Sequence, residues 1–391
     1  MNPAAIGIPV EILEHLVGFD TVSAHSNLGL IRWVADYLDG HGVACTLTYD
    51  AAGTKANLFA TIGPEGRGGV ILSGHTDVVP VAGQDWDSDP FRLDRRGDRL
   101  YGRGAADMKG FIALVLALVP EALAHPLAVP LHLAFSFDEE VGCLGVPALI
   151  RALPEGEARP RLAIIGEPTE MQIGNAQKGL SFLRTRVEGR EAHSSLPEHG
   201  VNAITAAAEI IAEIGRLAAE SRARARPASG FDPPYTSFNI GVIEGGTAVN
   251  IIARECAFSW EFRTLPGEDP AAPLAHIAQF VDADLLPRMR RVHDGAAVAT
   301  EPVALVPPLV PDPGSPAEAL ARRLSGANGT VAIAFATEAG HFQEAGIPAI
   351  ICGPGAIAVA HRPNEYITLP QLAAGAAFLD RLLAWARRGD A

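Results

Sequence analysis

The sequence predicts an α/β fold: an α/β domain built on a central mixed sheet and interrupted by a smaller α+β domain. Three observations predict it. Apolar runs without alternation, "GGVILSGH", "LHLAFSF" and "RLAIIGEP", are separated by helical patterns. Strands of that kind belong to sheets covered on both faces. After Lys178 the strand runs alternate apolar and polar residues, and beyond about residue 307 the first pattern returns. A chain of 391 residues has the length for two domains with cores of their own.

Taken in order, "LIRWVADYLDGHG" has helical periodicity and runs into Gly40 and Gly42, a plausible stop. "GGVILSGH" is a short strand, and "GFIALVLALVPEAL" a helix apolar enough to be buried on most sides. "LHLAFSF" and "RLAIIGEP" are further strands. The second pattern opens with the alternating "LSFLRTRVEG" and the long amphipathic "VNAITAAAEIIAEIGRLAAESRARA". The strands "TSFNIGVIEGG" and "ECAFSWEFRT" follow, then the helix "AAPLAHIAQFVDADLLPRM" and the strand "AAVATEPVAL". The order β-α-β-β-α-β is that of a ferredoxin-like sandwich. The Pro-rich "VPPLVPDPGSP" leads back to "TVAIAFATEAG", "IPAIICGPG" and a helix from about Leu369. The expected division is 1–178, 179–306 and 307–391, with the middle segment inserted.

Net charge is −14, which argues against nucleic-acid or anionic-membrane partners, since both need basic surface. It suits a cation-binding protein. Cys45, Cys143, Cys256 and Cys352 are scattered and form no C-x-x-C pair, so no zinc ribbon or dithiol redox site is indicated. The N-terminal stretch lacks a signal-peptide pattern, and no apolar run approaches the ~18–20 residues of a membrane span. A soluble cytoplasmic enzyme is the expectation.

One acidic cluster stands out. "LHLAFSFDEEVG" ends an apolar run on Asp138, Glu139 and Glu140. Adjacent carboxylates at the mouth of a buried strand repel one another and resist desolvation. A solvated turn is the bland explanation. A cation site is the sharper one, and its other ligands are present. "VILSGHTDVVP" places His75 and Asp77 at a strand end, and "LAIIGEPTE" places Glu167 at another. Strand carboxyl ends are where ligands gather in α/β sheets. Gly-rich loops present Asp107 in "YGRGAADMKG" and His361 in "GPGAIAVAHRPNEY". Asp77 lies two residues from His75, on the same side of an extended segment, where its carboxylate can hold the second ring nitrogen. Each residue alone is as well explained by a turn, a cap or a surface histidine; together those explanations leave crowded acids without compensation.

The ordered motifs "SGHTDVVPV", "W..DPF", "LYGRGAADMKGFIA", "FDEEVGCLG", "GEPT", "GREAHSS.PEHGVNAI", "ATEAGHFQEAGIP" and "CGPG....AHRPNEY" resemble those of the M20 family of metallo-aminohydrolases over nearly the full length. Within the family they are most similar to the acetylornithine deacetylase branch. The resemblance implies a catalytic α/β domain interrupted by a lid and dimerisation domain, a homodimer formed through that lid, and two divalent metal ions, usually zinc, with cobalt an alternative. His75 and Glu167 would bind one ion, Glu140 and His361 the other, and Asp107 would bridge them. Glu139 would stay uncoordinated as general base, with Asp77 supporting the site. His193, Asn250 and Arg263 would contact substrate, and Glu338 would meet a substrate ammonium. For Arg263 a strand-surface ion pair is an equal alternative.

The expected reaction is hydrolysis of N-acetyl-L-ornithine to ornithine and acetate, a step of arginine biosynthesis. The alternatives are a deacylase of another N-acyl (di)amino acid, a succinyl-diaminopimelate desuccinylase, a metallocarboxypeptidase, and a metal-free binding module. His341 and Phe342 sit where relatives differ in bulk and polarity.

Overall fold

The computed structural model describes residues 7–389. Its strands begin with β1 (Cys45–Tyr49), β2 (Ala56–Ile62) and β3 (Val70–His75). The short β4 (Asp94–Arg96) and β5 (Arg99–Tyr101) follow, then β6 (Leu131–Ser136), β7 (Leu162–Pro168) and β8 (Gly174–Gln177). Next come β9 (Leu180–Glu188), β10 (Ser237–Gly245), β11 (Glu255–Arg263) and β12 (Ala297–Val306). β13 (Val331–Ile333), β14 (Ala349–Gly353) and β15 (Tyr366–Thr368) complete the set.

The chain divides into two compact units. The first comprises 1–176, 311–331 and 337–391, and the second 177–310 and 332–336. The main sheet has the order β1-β2-β6-β3-β7-β14-β8-β13. β3 runs parallel to both β6 and β7, and β14 parallel to β7, while β1, β2 and β8 pair antiparallel. The sheet is therefore mixed, as the sequence predicts. β3, β6 and β7 are buried at every residue, which is why they read as unbroken apolar runs. The helix Gly110–Ala124 packs closely on this sheet. A Cβ at Gly166 would stand 2.1 Å from the Phe111 ring, so only glycine admits that approach.

In the second unit a four-stranded antiparallel sheet has the order β10-β11-β9-β12. Its helix Ala203–Ala223 starts on Asn202, whose side chain accepts from the amides of Ile204 and Thr205. That helix contributes Ala206, Ala207, Ile210 and Ile214 to a core shared with Leu183, Phe258, Trp260 and Phe262. The expected helix near 271–289 is interrupted by a π-helical turn at Val281–Leu285.

Two details depart from the sequence reading. "TVAIAFATEAG" gives only the three-residue β13 and a bend before a short helix at Ala339–Glu344. The expected 307–391 segment is also not all in one unit, because 307–310 and 332–336 join the second unit. There the amide of Lys178 donates to the carbonyl of Ile333 at 3.3 Å.

Candidate metal centre

Because β6, β3 and β7 are adjacent and parallel, their carboxyl ends lie side by side. His75 is the last residue of β3 and pairs with Ser136, the last of β6. The loop after β6 thus brings Glu139 and Glu140 beside His75, and Glu167 arrives at the end of β7.

Two loops add the remaining groups. Asp107 lies in the irregular segment before the helix Gly110–Ala124, where the Asp107–Met108 peptide is cis. His361 sits in left-handed backbone, φ 63°, with its ring half exposed. His75 Nε2 is 3.0 Å from Asp107 Oδ1 and 3.8 Å from Glu167 Oε1. His361 Nε2 is 3.0 Å from Glu140 Oε2 and 3.3 Å from Asp107 Oδ2. All five expected ligands are therefore brought together, with Asp107 between the two histidines. Two subsets keep one donor atom per residue within 4.8 Å of one another, as one cation requires: His75, Glu139 and Glu167, and His75, Asp107 and Glu140. Distance alone does not set Glu139 apart from the ligands.

The expectation for Asp77 needs correction. His75 Nδ1 is 2.9 Å from the main-chain carbonyl of Asp77 and 3.7 Å from its carboxylate. The carboxylate instead accepts from the amides of Glu139 at 3.0 Å and Glu140 at 3.2 Å, and from Ser23 Oγ at 2.6 Å. Asp77 thus holds the acidic loop by its main chain. Asp138 turns away through left-handed backbone, φ 56°, to pair with Lys55 Nζ at 2.5 Å. Cys143 Sγ lies 3.4 Å from Glu139 Oε1. Ser23 escapes a reading that looks only for ligand types, and Cys143 is isolated from any other cysteine in sequence, so neither signals its place beside the acidic loop.

Glu338 is 1% exposed and accepts from Ser73 Oγ at 3.0 Å. In the second unit, His193 Nδ1 is 2.7 Å from Ser195 Oγ, and the amide of Ser194 donates to the carbonyl of Asn250 at 3.1 Å. Those two expected residues are neighbours there. Arg263 on β11 donates to Glu261 at 3.2 Å, the ion pair weighed as its alternative.

The electrostatics of the cluster follow from burial and crowding. Burial, with Asp107 and Glu139 nearby, pushes Glu167 well above the usual carboxylate range. Burial raises Glu139 too, opposed by His75 and reinforced by Glu140 and Asp107. Burial and Asp107 raise Glu140 to about 7. Burial would also raise Asp107, but the two histidines outweigh it and hold it low. Asp107 and Glu140 in turn raise His361 to about 10. His75 is raised against the pull of burial by Asp107, Glu139 and Glu167. Burial and mutual repulsion raise the proton affinity of Glu139, Glu140 and Glu167. A divalent cation offsets crowded negative charge directly, and imidazole with carboxylate oxygen is a donor set that suits a borderline or hard ion.

Known proteins resemble this chain in sequence and in fold. The sequence model of peptidase family M20/M25/M40 matches residues 71–385. The chain is 35% identical to an acetylornithine deacetylase of Myxococcus xanthus over 379 residues, 95% of this chain and 96% of that protein. An M20 family metallo-carboxypeptidase from Sulfolobus solfataricus superposes with a TM-score of 0.74 at 18% identity, covering 96% of this chain and 98% of that one. The YXEP protein of Bacillus subtilis, described as a dinuclear metal binding peptidase from the M20 family, superposes with a TM-score of 0.66 at 16% identity, covering 99% of both.

Proposed function

The chain belongs to peptidase family M20/M25/M40, and we propose that within it the protein is a two-metal amidohydrolase that removes the acetyl group from N-acetyl-L-ornithine. One observation carries the chemistry: His75, Asp107, Glu140, Glu167 and His361, from five separate segments, meet at one sheet edge beside Glu139. The substrate rests on 35% identity to an acetylornithine deacetylase over almost the whole chain.

In this reading His75 and Glu167 would hold one ion, Glu140 and His361 the other, and Asp107 would serve both. When bound, such ions supply Lewis acidity and offset the buried carboxylates. Zinc is the expected metal and cobalt the alternative. Glu139 stays uncoordinated because a proton carrier must remain free to exchange. It takes a proton from the attacking water as the new C–O bond forms at the amide carbon. It returns that proton to nitrogen as the C–N bond breaks, releasing acetate and ornithine. Asp77 keeps Glu139 and Glu140 in register through their amides. His193, Asn250 and Arg263 are the substrate-binding residues of this reading, and the second unit is a ferredoxin-like lid through which two copies pair. The enzyme works in the cytoplasm, and among the described residues no helix is long and apolar enough to cross a membrane.

The test is acetate release from a panel of N-acyl amino acids by protein stripped with chelator and reloaded with zinc or cobalt. Release from N-acetyl-L-ornithine only after reloading is expected. Glu139→Gln should lower kcat about 10²–10⁴-fold while both ions stay bound. Cleavage of a different N-acyl amino acid alone would remove the substrate assignment, and inactivity with both ions bound would remove the chemistry.

A further inference from the structure

His75 and Glu167 are held by strand ladders, but Asp107 and His361 are not. Asp107 lies in non-helical backbone, and His361 follows a loop. Something else must fix them if they are to share a cation.

A small antiparallel sheet supplies the frame. β15 pairs with β5, Tyr366 opposite Tyr101 and Ile367 opposite Leu100. That register sets Glu365 beside Gly102, whose amide donates to the Glu365 carbonyl at 3.0 Å. Arg103 and Glu365 then form an ion pair of 2.7 Å in which each side chain is 1% exposed. Burying such a pair costs desolvation that its own attraction hardly repays, so its further contacts matter. Glu365 Oε1 accepts from the amides of Ala106 at 2.9 Å and Asp107 at 3.1 Å. Arg103 Nη2 donates to Gln84 Oε1 at 2.6 Å, and its guanidinium lies 5.1 Å from the centre of the Trp86 ring. Gln84 Nε2 donates to the carbonyl of His361 at 2.9 Å. One connected set of bonds grips the main chain at Asp107 and again at His361.

We infer that Glu365 is a positioning residue that, with Arg103 and Gln84, fixes the spacing of Asp107 and His361 so that one cation can use both. This rests on the metal-ligand reading of those two residues. It also gives a purpose to Trp86 in "W..DPF" and to the acid of "HRPNEY". The glutamate satisfies two amides that the irregular segment leaves without helical partners, and the arginine makes a buried carboxylate tenable there. His75 and Glu167 are anchored separately, so the ion they would hold with Asp107 should feel the loss less than the ion shared by Asp107 and His361.

The experiment titrates full-length, metal-free protein with zinc by calorimetry and with cobalt by visible absorption, for the wild type, Glu365→Gln and Gln84→Ala. Two ions should bind the wild type. Glu365→Gln should weaken the ion that uses both Asp107 and His361 about 10–100-fold and alter its cobalt spectrum, and should weaken the other, which uses Asp107 alone of the two, by less. Gln84→Ala should act on the same ion, more weakly. Folded variants that bind both ions with wild-type affinity and spectrum would overturn the inference and leave the metal reading standing. A wild type that binds no divalent ion would overturn the metal reading and this inference together. Should Glu365→Gln fail to fold, Gln84→Ala decides by the same measurements, because its side chain is only partly buried.

Discussion

In the first unit β3, β6 and β7 are buried at every residue, whereas in the second β9 and β11 bury every other one. The alternating strands place Leu183, Thr185, Val187, Phe258, Trp260 and Phe262 inward. Arg184, Arg186 and Glu188 of β9 stay exposed. Polar side chains on such an open face cost little. A sheet covered on both faces has no such place, so its ionisable groups collect at strand ends and in adjoining loops, where they crowd. The difference separates two kinds of sensitivity: substitutions in the second sheet should read out as stability, and substitutions at the rim of the first as chemistry.

The largest expected effect tests the second sheet. Trp260 is 1% exposed, and its Nε1 donates to Thr185 Oγ1 at 3.0 Å. Trp260→Ala should cost about 3–5 kcal/mol by urea denaturation. A loss under about 1 kcal/mol would mean that this core does not hold the unit together.

At the rim of the first sheet, Asp77→Asn replaces one acceptor by a donor facing the amides of Glu139 and Glu140. A fall in kcat of about 10–100-fold is expected, with circular dichroism unchanged. Unchanged kcat would remove the positioning role of Asp77.

The covered sheet also buries His132 on β6, where desolvation lowers its pKa from the ordinary 6.5 to about 4. The unfolded chain binds a proton below 6.5 that the folded chain refuses. This contribution is therefore fully present above that pH and is lost as pH falls toward 4. Between pH 7 and pH 5 it amounts to about 2 kcal/mol. His132→Gln should flatten the pH dependence of stability over that range by the same amount, and parallel curves for the two proteins would refute it.

The smallest effect sharpens the contrast. Glu261→Ala removes the partner of Arg263 on the alternating sheet and should change stability by no more than about 0.5 kcal/mol. A larger loss would show that this face is not open to solvent in the working protein.

Much of this was legible because patterning reports burial directly. Runs such as "VILSGH" and "LAIIGEP" have no polar position to spare, and His75 and Glu167 stand where those two runs stop. Partner choice was less legible. The spacing of Asp77 from His75 predicted which side it faces, yet its carboxylate bonds the amides of a loop 62 and 63 residues away. Glu338 also follows an apolar run, and nothing local marked Ser73, 265 residues away, as the partner of its carboxylate. The apolar "TVAIAF" resembled a strand, and only Val331–Ile333 found ladder partners. Arg103 and Glu365 gave no sign of being buried, because nothing local marks a charge that will be paired across 262 residues.

By itself the sequence determined which segments must be covered, where they end, and which ligand-type side chains stand at those ends, because burial follows from the order of polar and apolar residues. Tertiary structure alone decided which of those side chains meet. The separation of His75, Asp107 and His361 depends on parallel strand pairing and on loops tied down by remote hydrogen bonds, and both are set by the assembled fold.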